Sequence, residues 1–512
     1  MSASPAASPA ALTPTRVRCA RVSPPRAWRC PARRLDCRRR VARASGAEPD
    51  AASYRDLLDA KVARTRELFG DLLPPEGLEV YASPRTRGFR QRCRFAVVRE
   101  DPRGAGGSSS GDAEDGPTRG NLRYALFERG RVVVLDARDE NAFGAASRAI
   151  AELMPRVLDA LNAEDANGFG DPREHARPLT ENLRAVGFLA NRAGDAVVTL
   201  WNAASPAFSD ADPTTASDVN AREEARWHAA ARAFRRDLGL KGVVSRRKKK
   251  PPRVCGADRV YETAAVPTFS SLRAAASSKT SSAADAEEVE TTSSDEIELL
   301  RLCMVEGAFS NPNADVAERT AGWLRETTRR ALAERGEDAA WFSSSTASTA
   351  KKSRKKKTRT RLTELYCGNG THTVNLARAF RAVTAVEIEP RLCAAARENF
   401  AANGVTNASV EATPAETFSA ARGGDDEKQS QPNDDFILVD PPRAGLDPTT
   451  VSLVRRYRTI VYIACDSRSL VRDLRERGLG ATHELRRAAV FDHFPYSEFC
   501  EVVVWAERRR ET

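Results

Sequence analysis

The chain has 512 residues, of which 41% are hydrophobic and 29% charged, a balance typical of globular proteins with more than one domain. It contains no apolar run of about eighteen residues, so no membrane-spanning helix is expected. The net charge is +11, but about +10 of it lies in the first 47 residues, so bulk charge is weak evidence for a nucleic-acid partner.

The first 47 residues are rich in Ala, Ser, Pro and Arg. They contain no Lys and a single acid, Asp36, and they lack the apolar core of a secretory signal. This composition is typical of an organelle transit peptide, and a disordered basic arm is the alternative. Because Ser, Ala and Pro precede the first Arg, at position 16, we expect import into the chloroplast rather than the mitochondrion.

Residues 48–300 mix short strand patterns with amphipathic helix patterns, which predicts an α+β region. The predicted helices are at 54–69, 145–161 and 221–238. The predicted strands are at 92–98, 122–127, 131–135, 182–189 and 195–201.

Four stretches of low complexity interrupt the chain, at 104–120, 270–294, 343–358 and 423–433. They hold too few apolar residues to fold, so we expect disordered surface inserts. The third follows a predicted helix at 313–334 and runs into the basic sequence KKSRKKKTRTR, which could add sequence-independent affinity for a nucleic acid.

From residue 361 onward, strand and helix patterns alternate. The predicted strands are at 362–366, 382–388, 436–439 and 460–464, and the predicted helices are at 374–380 and 391–403. Such alternation builds a parallel sheet covered by helices on both faces, and ligands bind at the carboxyl ends of its strands. We therefore predict that residues 301–512 form an α/β catalytic domain.

The sequence ELYCGNG lies where the first of these strands turns into the first helix. Gly368 and Gly370 would let the backbone approach a nucleoside-like ligand closely. Glu387, which ends the next strand, can accept hydrogen bonds from both hydroxyls of a ribose. A lone G-x-G also fits an ordinary loop, but together with this acid it predicts a cofactor site.

The motif Asp440-Pro441-Pro442-Arg443 directly follows an apolar strand. Two prolines stiffen the loop and hold Asp440 at the edge of the sheet. Methyltransferases that act on amino groups of adenine and cytosine resemble this motif but carry an aromatic residue where this chain has Arg443. Amino-group methylation is therefore disfavoured.

Cys465 ends the strand pattern VYIAC at the same edge of the sheet as Asp440. A thiolate there could add to C6 of a uracil, which makes C5 reactive enough to take a methyl group. The C5 proton must then be removed by a general base, and Glu501 in FCEVVVW is the candidate. Taken singly, Cys465 would fit a buried core cysteine and Glu501 an edge-strand charge.

The motifs LYCGNG, VDPPRAGLD, YIACD and FDHFPYSEFCE, in this order and spacing, resemble the RNA uracil-5-methyltransferase family over residues 54–507, and especially its tRNA branch. The resemblance implies a class I, Rossmann-like methyltransferase fold with a mostly parallel sheet and S-adenosyl-L-methionine as methyl donor. It also implies Cys465 as nucleophile and Glu501 as proton acceptor. The implied cofactor contacts are Asn311, Tyr366, Thr371, Glu387 and Asp440.

Three positions depart from the family pattern. The family usually has Gln where Asn311 stands, Asn where Thr371 stands, and Asn where Asp466 follows the nucleophile.

The resemblance favours a tRNA substrate over a ribosomal one. The ribosomal branch adds a barrel domain and an iron–sulfur cluster held by four Cys, whereas this chain has no C-x-x-C pair and its Cys19, Cys30 and Cys37 are spaced too widely. We expect no metal or cluster and a monomer that methylates the T-loop uridine of tRNA. The alternatives are a ribosomal RNA uridine methyltransferase and an RNA-binding protein that has lost catalysis.

Basic residues interleaved with an aromatic ring are candidates for RNA contacts, because cations track phosphates while a ring stacks on a base. We therefore expect the α+β region at 48–300 to bind RNA. A solvated basic face is the alternative interpretation. The candidates are Arg87, Phe89, Arg90 and Arg92, with Arg85 and Arg94 beside them, and Lys248 within the run 246–250.

Overall fold

The computed structural model describes residues 51–100, 121–128, 131–139, 141–167, 178–203, 213–248, 250–278, 296–337, 359–422 and 433–509. The predicted transit peptide, the inserts at 104–120 and 343–358, and most of the inserts at 270–294 and 423–433 lie outside these residues.

The described chain begins with helix α1 (Ala51–Phe69), a 3-10 turn (Gly70–Leu72) and strand β1 (Leu78–Tyr81). The helix confirms the prediction for 54–69. Its apolar side, which includes Tyr54, Leu58 and Val62, belongs to the core of the second sheet described below.

A seven-stranded sheet follows, in the order β4-β3-β2-β5-β6-β7-β8, and every pair is antiparallel except β6 with β7. Helices α2 and α3 pack on it around the buried Trp227, and all five predicted strands and both helices of this region are present. The elements are β2 (Arg92–Arg99), β3 (Leu122–Glu128), β4 (Arg131–Leu135), α2 (Arg148–Asn167), β5 (Leu183–Ala190), β6 (Ala196–Asn202), α3 (Pro213–Leu238), β7 (Gly242–Arg247) and β8 (Arg253–Gly256).

A two-stranded antiparallel ribbon connects the two sheets. It pairs β9 (Arg259–Pro267) with β10 (Ile297–Val305), and helix α4 (Phe269–Ser278) lies between these two strands in the sequence. Helix α4 lies at the start of the stretch 270–294 that we expected not to fold. Phe269 explains the difference, because it is buried in the core cluster that also contains Trp323.

The second sheet has eight strands in the order β1-β16-β17-β15-β14-β11-β12-β13. The run from β15 to β13 is parallel, as is β1 with β16, whereas β17 is antiparallel to both of its neighbours. Its later strands are β11 (Leu362–Leu365), β12 (Val383–Glu387), β13 (Ala408–Ala412), β14 (Asn433–Val439), β15 (Tyr457–Ala464), β16 (His483–Phe491) and β17 (Glu501–Arg508).

Helices cover both faces of this sheet, which confirms the predicted α/β architecture. Successive strand residues alternate between two apolar clusters: Ile437 faces α1, α8, α9 and α10, and Phe436 faces α5 and α6. The helices are α5 (Ala314–Ala333), α6 (Thr371–Leu376) with a 3-10 turn (Ala377–Ala379), α7 (Pro390–Ala402), α8 (Ala415–Arg422), α9 (Pro448–Val454), α10 (Ser467–Arg475) and α11 (Leu479–Thr482).

The expected division at residue 300 places α1 and β1 with the RNA-binding region, whereas the structure places them in the second sheet. Leu78 and Tyr81 of β1 pair with Ala488 and Phe491 of β16. The Tyr81 ring also stacks on Phe491, with centroids 4.7 Å apart. The second sheet is thus built from both ends of the described chain. None of the described helices is both long and apolar enough to cross a bilayer.

Candidate active site

The carboxyl ends of four adjacent parallel strands carry four of the predicted site residues. Tyr366 follows β11, Glu387 ends β12, Asp440 follows β14 and Cys465 follows β15. The strand order β15-β14-β11-β12 lines these residues up along one edge. This edge is where the parallel arrangement predicts ligand binding.

The loop between β11 and α6 has the backbone form that its glycines predict. Gly368 and Gly370 have φ angles of +57° and +74°, and Tyr366 has φ +62°, a conformation rare for a residue with a side chain. Nothing lies within 4 Å of the position that a Cβ of Gly368 would take, so this side of the loop is open to a ligand. Gly370 instead packs tightly on Phe400.

Glu387 is largely buried and anchored by the backbone around it. Its Oε2 accepts the N–H of Gly368 at 3.0 Å, and its Oε1 accepts the N–H of Glu389 at 2.8 Å. A carboxylate has further lone pairs beyond these two bonds. The carboxylate is therefore fixed against the glycine loop and can still accept from ribose hydroxyls, which fits a nucleoside cofactor.

Three of the other implied cofactor contacts, Tyr366, Thr371 and Asn311, have partners within the protein. Tyr366 packs against the core, and burial raises the pKa of its phenol to about 12. The Thr371 hydroxyl donates to Asn369 Oδ1 at 2.8 Å. The Asn311 amide nitrogen lies 3.2 Å from Nε2 of His493, a residue of the loop between β16 and β17.

Cys465 and Glu501 are brought together by strand pairing. Ala464, the last residue of β15, is paired with Val502 of the antiparallel β17, so the next residues outward on the two strands are Cys465 and Glu501. Burial raises the pKa of the Cys465 thiol, the nearby Asp440 and Glu501 raise it further, and Arg443 opposes the rise. The thiol is partly exposed, so a substrate can reach it.

The two carboxyl groups of the site titrate in opposite directions. Burial raises the pKa of Asp440 well above its usual range, and the charge of Glu501 adds to the rise. The pKa of Glu501 is lowered: burial works against this, but His493 and His372 favour the ionised form. The surroundings thus favour the protonated form of Asp440 and the ionised form of Glu501, the opposite shifts that acid–base chemistry uses.

Two histidines of the site were missed by sequence reasoning. His493 lies in the loop between β16 and β17, fully buried, with Nε2 3.3 Å from Glu501 Oε1. His372 lies in α6, and burial lowers the pKa of its imidazole. The signal for His493 was present in the FDHFPY motif, whereas His372 follows the glycine loop without any pattern that marks it.

The departure at Asp466 has a structural explanation. Asp466 is the N-cap of α10, and its side chain accepts the N–H of Arg468 at 3.1 Å. Asn and Asp cap helices about equally well. The residue after Cys465 therefore serves to start a helix, and either side chain can do so.

The candidate RNA contacts divide into two groups. Phe89 is 3% exposed and lies against Tyr496 with ring centroids 6.1 Å apart, so its ring is not presented for stacking. Arg90 donates to the carbonyl of Arg92 at 3.0 Å, and Arg92 to that of Ala308.

Arg87 and Lys248 lie at the surface. The Arg87 guanidinium donates to Asn141 Oδ1 at 2.8 Å. Lys248 is exposed and lines a groove of about 260 Å³ together with Arg184, Trp201, Asn202, Ala203, Arg246 and Arg247. The groove combines cations with an aromatic ring, the pairing expected for single-stranded nucleic acid.

Within the part of the chain that the structure describes, no cluster of three or more His, Cys, Asp or Glu is arranged to hold a metal ion. The seven described cysteines are all free thiols.

Comparison with known proteins gives concordant results. A family model described as tRNA (Uracil-5-)-methyltransferase matches residues 348–509. A tRNA/tmRNA (uracil-C(5))-methyltransferase of Chromohalobacter salexigens is 31% identical over 470 residues, 89% of this chain and 96% of the relative. A protein of the same description from Pseudomonas paraeruginosa is 32% identical over 472 residues, 90% of this chain and 98% of the relative.

Among solved structures, the chain resembles the tRNA (uracil-54, C5)-methyltransferase of Pyrococcus abyssi in complex with S-adenosyl-L-homocysteine. The TM-score is 0.50 at 16% identity, and the match covers 88% of this chain and 83% of the other. This likeness shows a shared fold and confirms the Rossmann-like methyltransferase fold predicted from the sequence motifs.

Proposed function

Because this chain belongs to the tRNA/tmRNA (uracil-C(5))-methyltransferase family, we propose that it methylates C5 of the T-loop uridine of tRNA through a covalent Cys465 intermediate. In coarser terms, it is an S-adenosylmethionine-dependent enzyme that methylates C5 of uridine in RNA. The observation that carries the mechanism is the strand register that puts Cys465 next to Glu501.

S-adenosylmethionine supplies the methyl group as an electrophile when it is bound. Its ribose would be held by Glu387, whose carboxylate is fixed against the open glycine loop at Gly368. Asp440, Asn311, Tyr366 and Thr371 are the further contacts that the family resemblance implies. Burial raises the pKa of Asp440, which favours the protonated form, and that form can donate a hydrogen bond where an ionised carboxylate could not.

Cys465 acts first, by adding its thiolate to C6 of the uracil. The electron pair of the C5=C6 bond moves onto C5, which then takes the methyl group. Glu501 next removes the C5 proton, the C5=C6 bond reforms, and the C6–S bond breaks to return the thiolate. An ionised Glu501 close to Cys465 suits this last step, and it also explains why the thiol needs a partner such as Arg443 to ionise.

The mechanism predicts different outcomes for the two catalytic substitutions. Cys465→Ala removes the nucleophile, so methylation and covalent RNA adduct should both be absent. Glu501→Gln keeps addition but removes the base, so a methylated RNA–protein adduct should accumulate and resist denaturation.

Denaturing gels of protein incubated with tRNA transcript and S-adenosylmethionine measure both outcomes, with tritium release from C5-labelled transcript as the measure of turnover. An adduct with Cys465→Ala but none with Glu501→Gln would reverse the two roles.

A tRNA substrate is supported by the likeness to the tRNA branch and by the relatives, which are named as tRNA/tmRNA (uracil-C(5))-methyltransferases. Ribosomal RNA uridine is the alternative substrate, because its methylation would use the same catalytic residues. Mass spectrometry of tRNA and ribosomal RNA from a knockout separates them: loss of 5-methyluridine from tRNA alone supports the proposal, and loss from ribosomal RNA alone contradicts it.

We further propose that the groove at Lys248 binds the RNA backbone. Lys248→Ala should weaken binding of different RNAs uniformly and lower the salt dependence of affinity by about one charge. Lys241→Ala is the matched control, because Lys241 on the same sheet is paired with Asp195 at 3.0 Å. Equal effects of the two substitutions would argue against a role for the groove.

The arginine-rich composition of residues 1–47 supports a location in an organelle, with the chloroplast favoured. Fusion of this segment to a fluorescent protein should direct the fusion to chloroplasts. Retention of the fusion in the cytosol would exclude the transit peptide, and entry into mitochondria would correct the compartment.

A further inference from the structure

Three polar groups converge on a single ring nitrogen of His493. Its Nε2 lies 3.3 Å from Glu501 Oε1, 3.2 Å from Asn311 Nδ2 and 3.4 Å from Thr320 Oγ1. The His493 side chain is fully buried. The imidazole therefore sits directly behind the carboxylate that removes the C5 proton.

One neighbour of Nε2 favours its unprotonated form, and two others favour its protonated form. The Asn311 amide oxygen accepts the N–H of Asn313 at 3.1 Å, so the amide nitrogen faces Nε2 and needs an unprotonated acceptor. The Thr320 hydroxyl donates to the carbonyl of Val316 at 3.0 Å, so its oxygen can only accept from Nε2, as an ionised Glu501 does. Nε2 thus has hydrogen-bond partners both with and without a proton.

The other ionisable groups around His493 are engaged or neutral. Asp492 accepts from Lys61 Nζ at 2.7 Å and from the Tyr54 hydroxyl at 2.9 Å. Burial lowers the pKa of His372 and raises that of Asp440, which favours the neutral form of both.

The Cys465 sulfur is bonded to C6 of the base until elimination, so it cannot take the C5 proton before the C6–S bond breaks. The proton that Glu501 takes from the substrate consequently has an acceptor within hydrogen-bond reach in His493.

We propose, on the basis of the function proposed above, that His493 relays the C5 proton away from Glu501. When Glu501 takes this proton, the C5–H electron pair forms the C5=C6 bond and the C6–S pair returns to Cys465. The proton then passes from Glu501 to unprotonated Nε2, which restores the carboxylate, and it returns through Glu501 to the Cys465 thiolate once the methylated base has left. His493 is a positioning residue, since it acts on the substrate only through Glu501.

The relay acts on elimination and not on addition. Addition depends on the Cys465 thiolate, whose raised pKa places its rise on the alkaline side. Loss of the relay should therefore slow the decay of the covalent adduct without changing the rate of its formation.

The test substitutes His493→Gln, because a glutamine amide can still hydrogen-bond Glu501 but cannot take up a proton. Adduct formation in single turnover should keep its rate, and adduct decay should slow about tenfold at pH 8. His228→Gln is the matched control: His228 on α3 has the same 3.3 Å contact with a carboxylate, Glu224. It should leave both rates unchanged.

Decay at the wild-type rate in His493→Gln would overturn the relay. If that variant is unfolded by circular dichroism at the assay temperature, Thr320→Val takes its place, because it removes the oxygen that accepts a hydrogen bond from protonated Nε2. Slower decay with unchanged formation in Thr320→Val supports the relay, and unchanged decay overturns it. Failure of the wild-type protein to release tritium from C5-labelled tRNA or ribosomal RNA at any pH would instead overturn the proposed function.

Discussion

At the scale of single residues, Arg443 favours the thiolate form of Cys465. Its guanidinium lies 4.7 Å from the centre of the Phe499 ring, a stacked position at the rim of the site. Its charge lowers the pKa of the Cys465 thiol against burial and two neighbouring acids, which raise it. The position that carries an aromatic ring in amino-group methyltransferases thus carries, in this chain, the cation that helps form the thiolate.

Arg443→Gln should move the alkaline rise of adduct formation to higher pH. The sign follows from the reactive form: the thiolate exists above the thiol pKa, and loss of the cation raises that pKa further. Single-turnover adduct formation measured across pH checks this. Arg468→Gln is the control, because Arg468 is paired with Asp466 at 3.1 Å and should leave the profile in place. A downward shift in Arg443→Gln would contradict the assignment.

At the scale of elements, the start of α6 depends on Gly370. A Cβ there would lie 2.8 Å from the Phe400 ring, and the φ of +74° disfavours any side chain. Gly404 offers a matched comparison, since its φ of +64° is similar but nothing lies within 4 Å of its Cβ position.

Gly370→Ala should therefore cost more stability than Gly404→Ala, which carries only the backbone strain of about 1–2 kcal/mol. It should also weaken binding of S-adenosylmethionine, because the same loop anchors Glu387. Thermal melting and titration calorimetry measure the two effects. Equal losses in both variants would mean that Phe400 moves aside without cost.

Sequence patterns predict well those helices and strands whose own apolar residues show the spacing typical of the element. The strand at 131–135 was predicted to the residue, and α5 begins one residue after the predicted start because Asn313 caps it. Strand β1 was missed because its four residues show no distinctive pattern, and its partner β16 lies about 400 positions away.

The same limit applies to the site. The site residues Cys465, Glu501, Glu387 and Asp440 each lie at or next to the end of a strand. Their place at one edge of the sheet could therefore be inferred from the order of strands and helices. The burial of Phe89 could not, because it results from packing on Tyr496, which is distant in sequence.

At the scale of the whole molecule, one buried ion pair connects helix α1 to the loop between β16 and β17. Lys61 in α1 donates to Asp492 at 2.7 Å and to the carbonyl of Phe494 at 2.9 Å, and both ends of the pair are buried. Asp492 immediately precedes His493 in the sequence. The loop that carries His493 is therefore anchored to a residue more than 400 positions earlier.

Lys61→Met should lower the free energy of unfolding by about 3–5 kcal/mol, because it leaves the Asp492 carboxylate buried without a countercharge. Arg64→Met removes an exposed partner of Glu498 one turn along the same helix and should cost less than about 1 kcal/mol. Chemical denaturation measures both. A similar small loss in the two variants would show that water or another cation replaces Lys61.

The pairing of β1 with β16 also has a consequence for synthesis of the protein. A ribosome makes β1 early, but the strand that completes its hydrogen bonds emerges only with the last thirty or so residues of the chain. Until then, the core cluster that contains the apolar face of α1 lacks the side chains of β16 and β17. A nascent chain that stops short of β16 consequently leaves part of this apolar cluster uncovered, which favours binding by chaperones and cleavage by proteases.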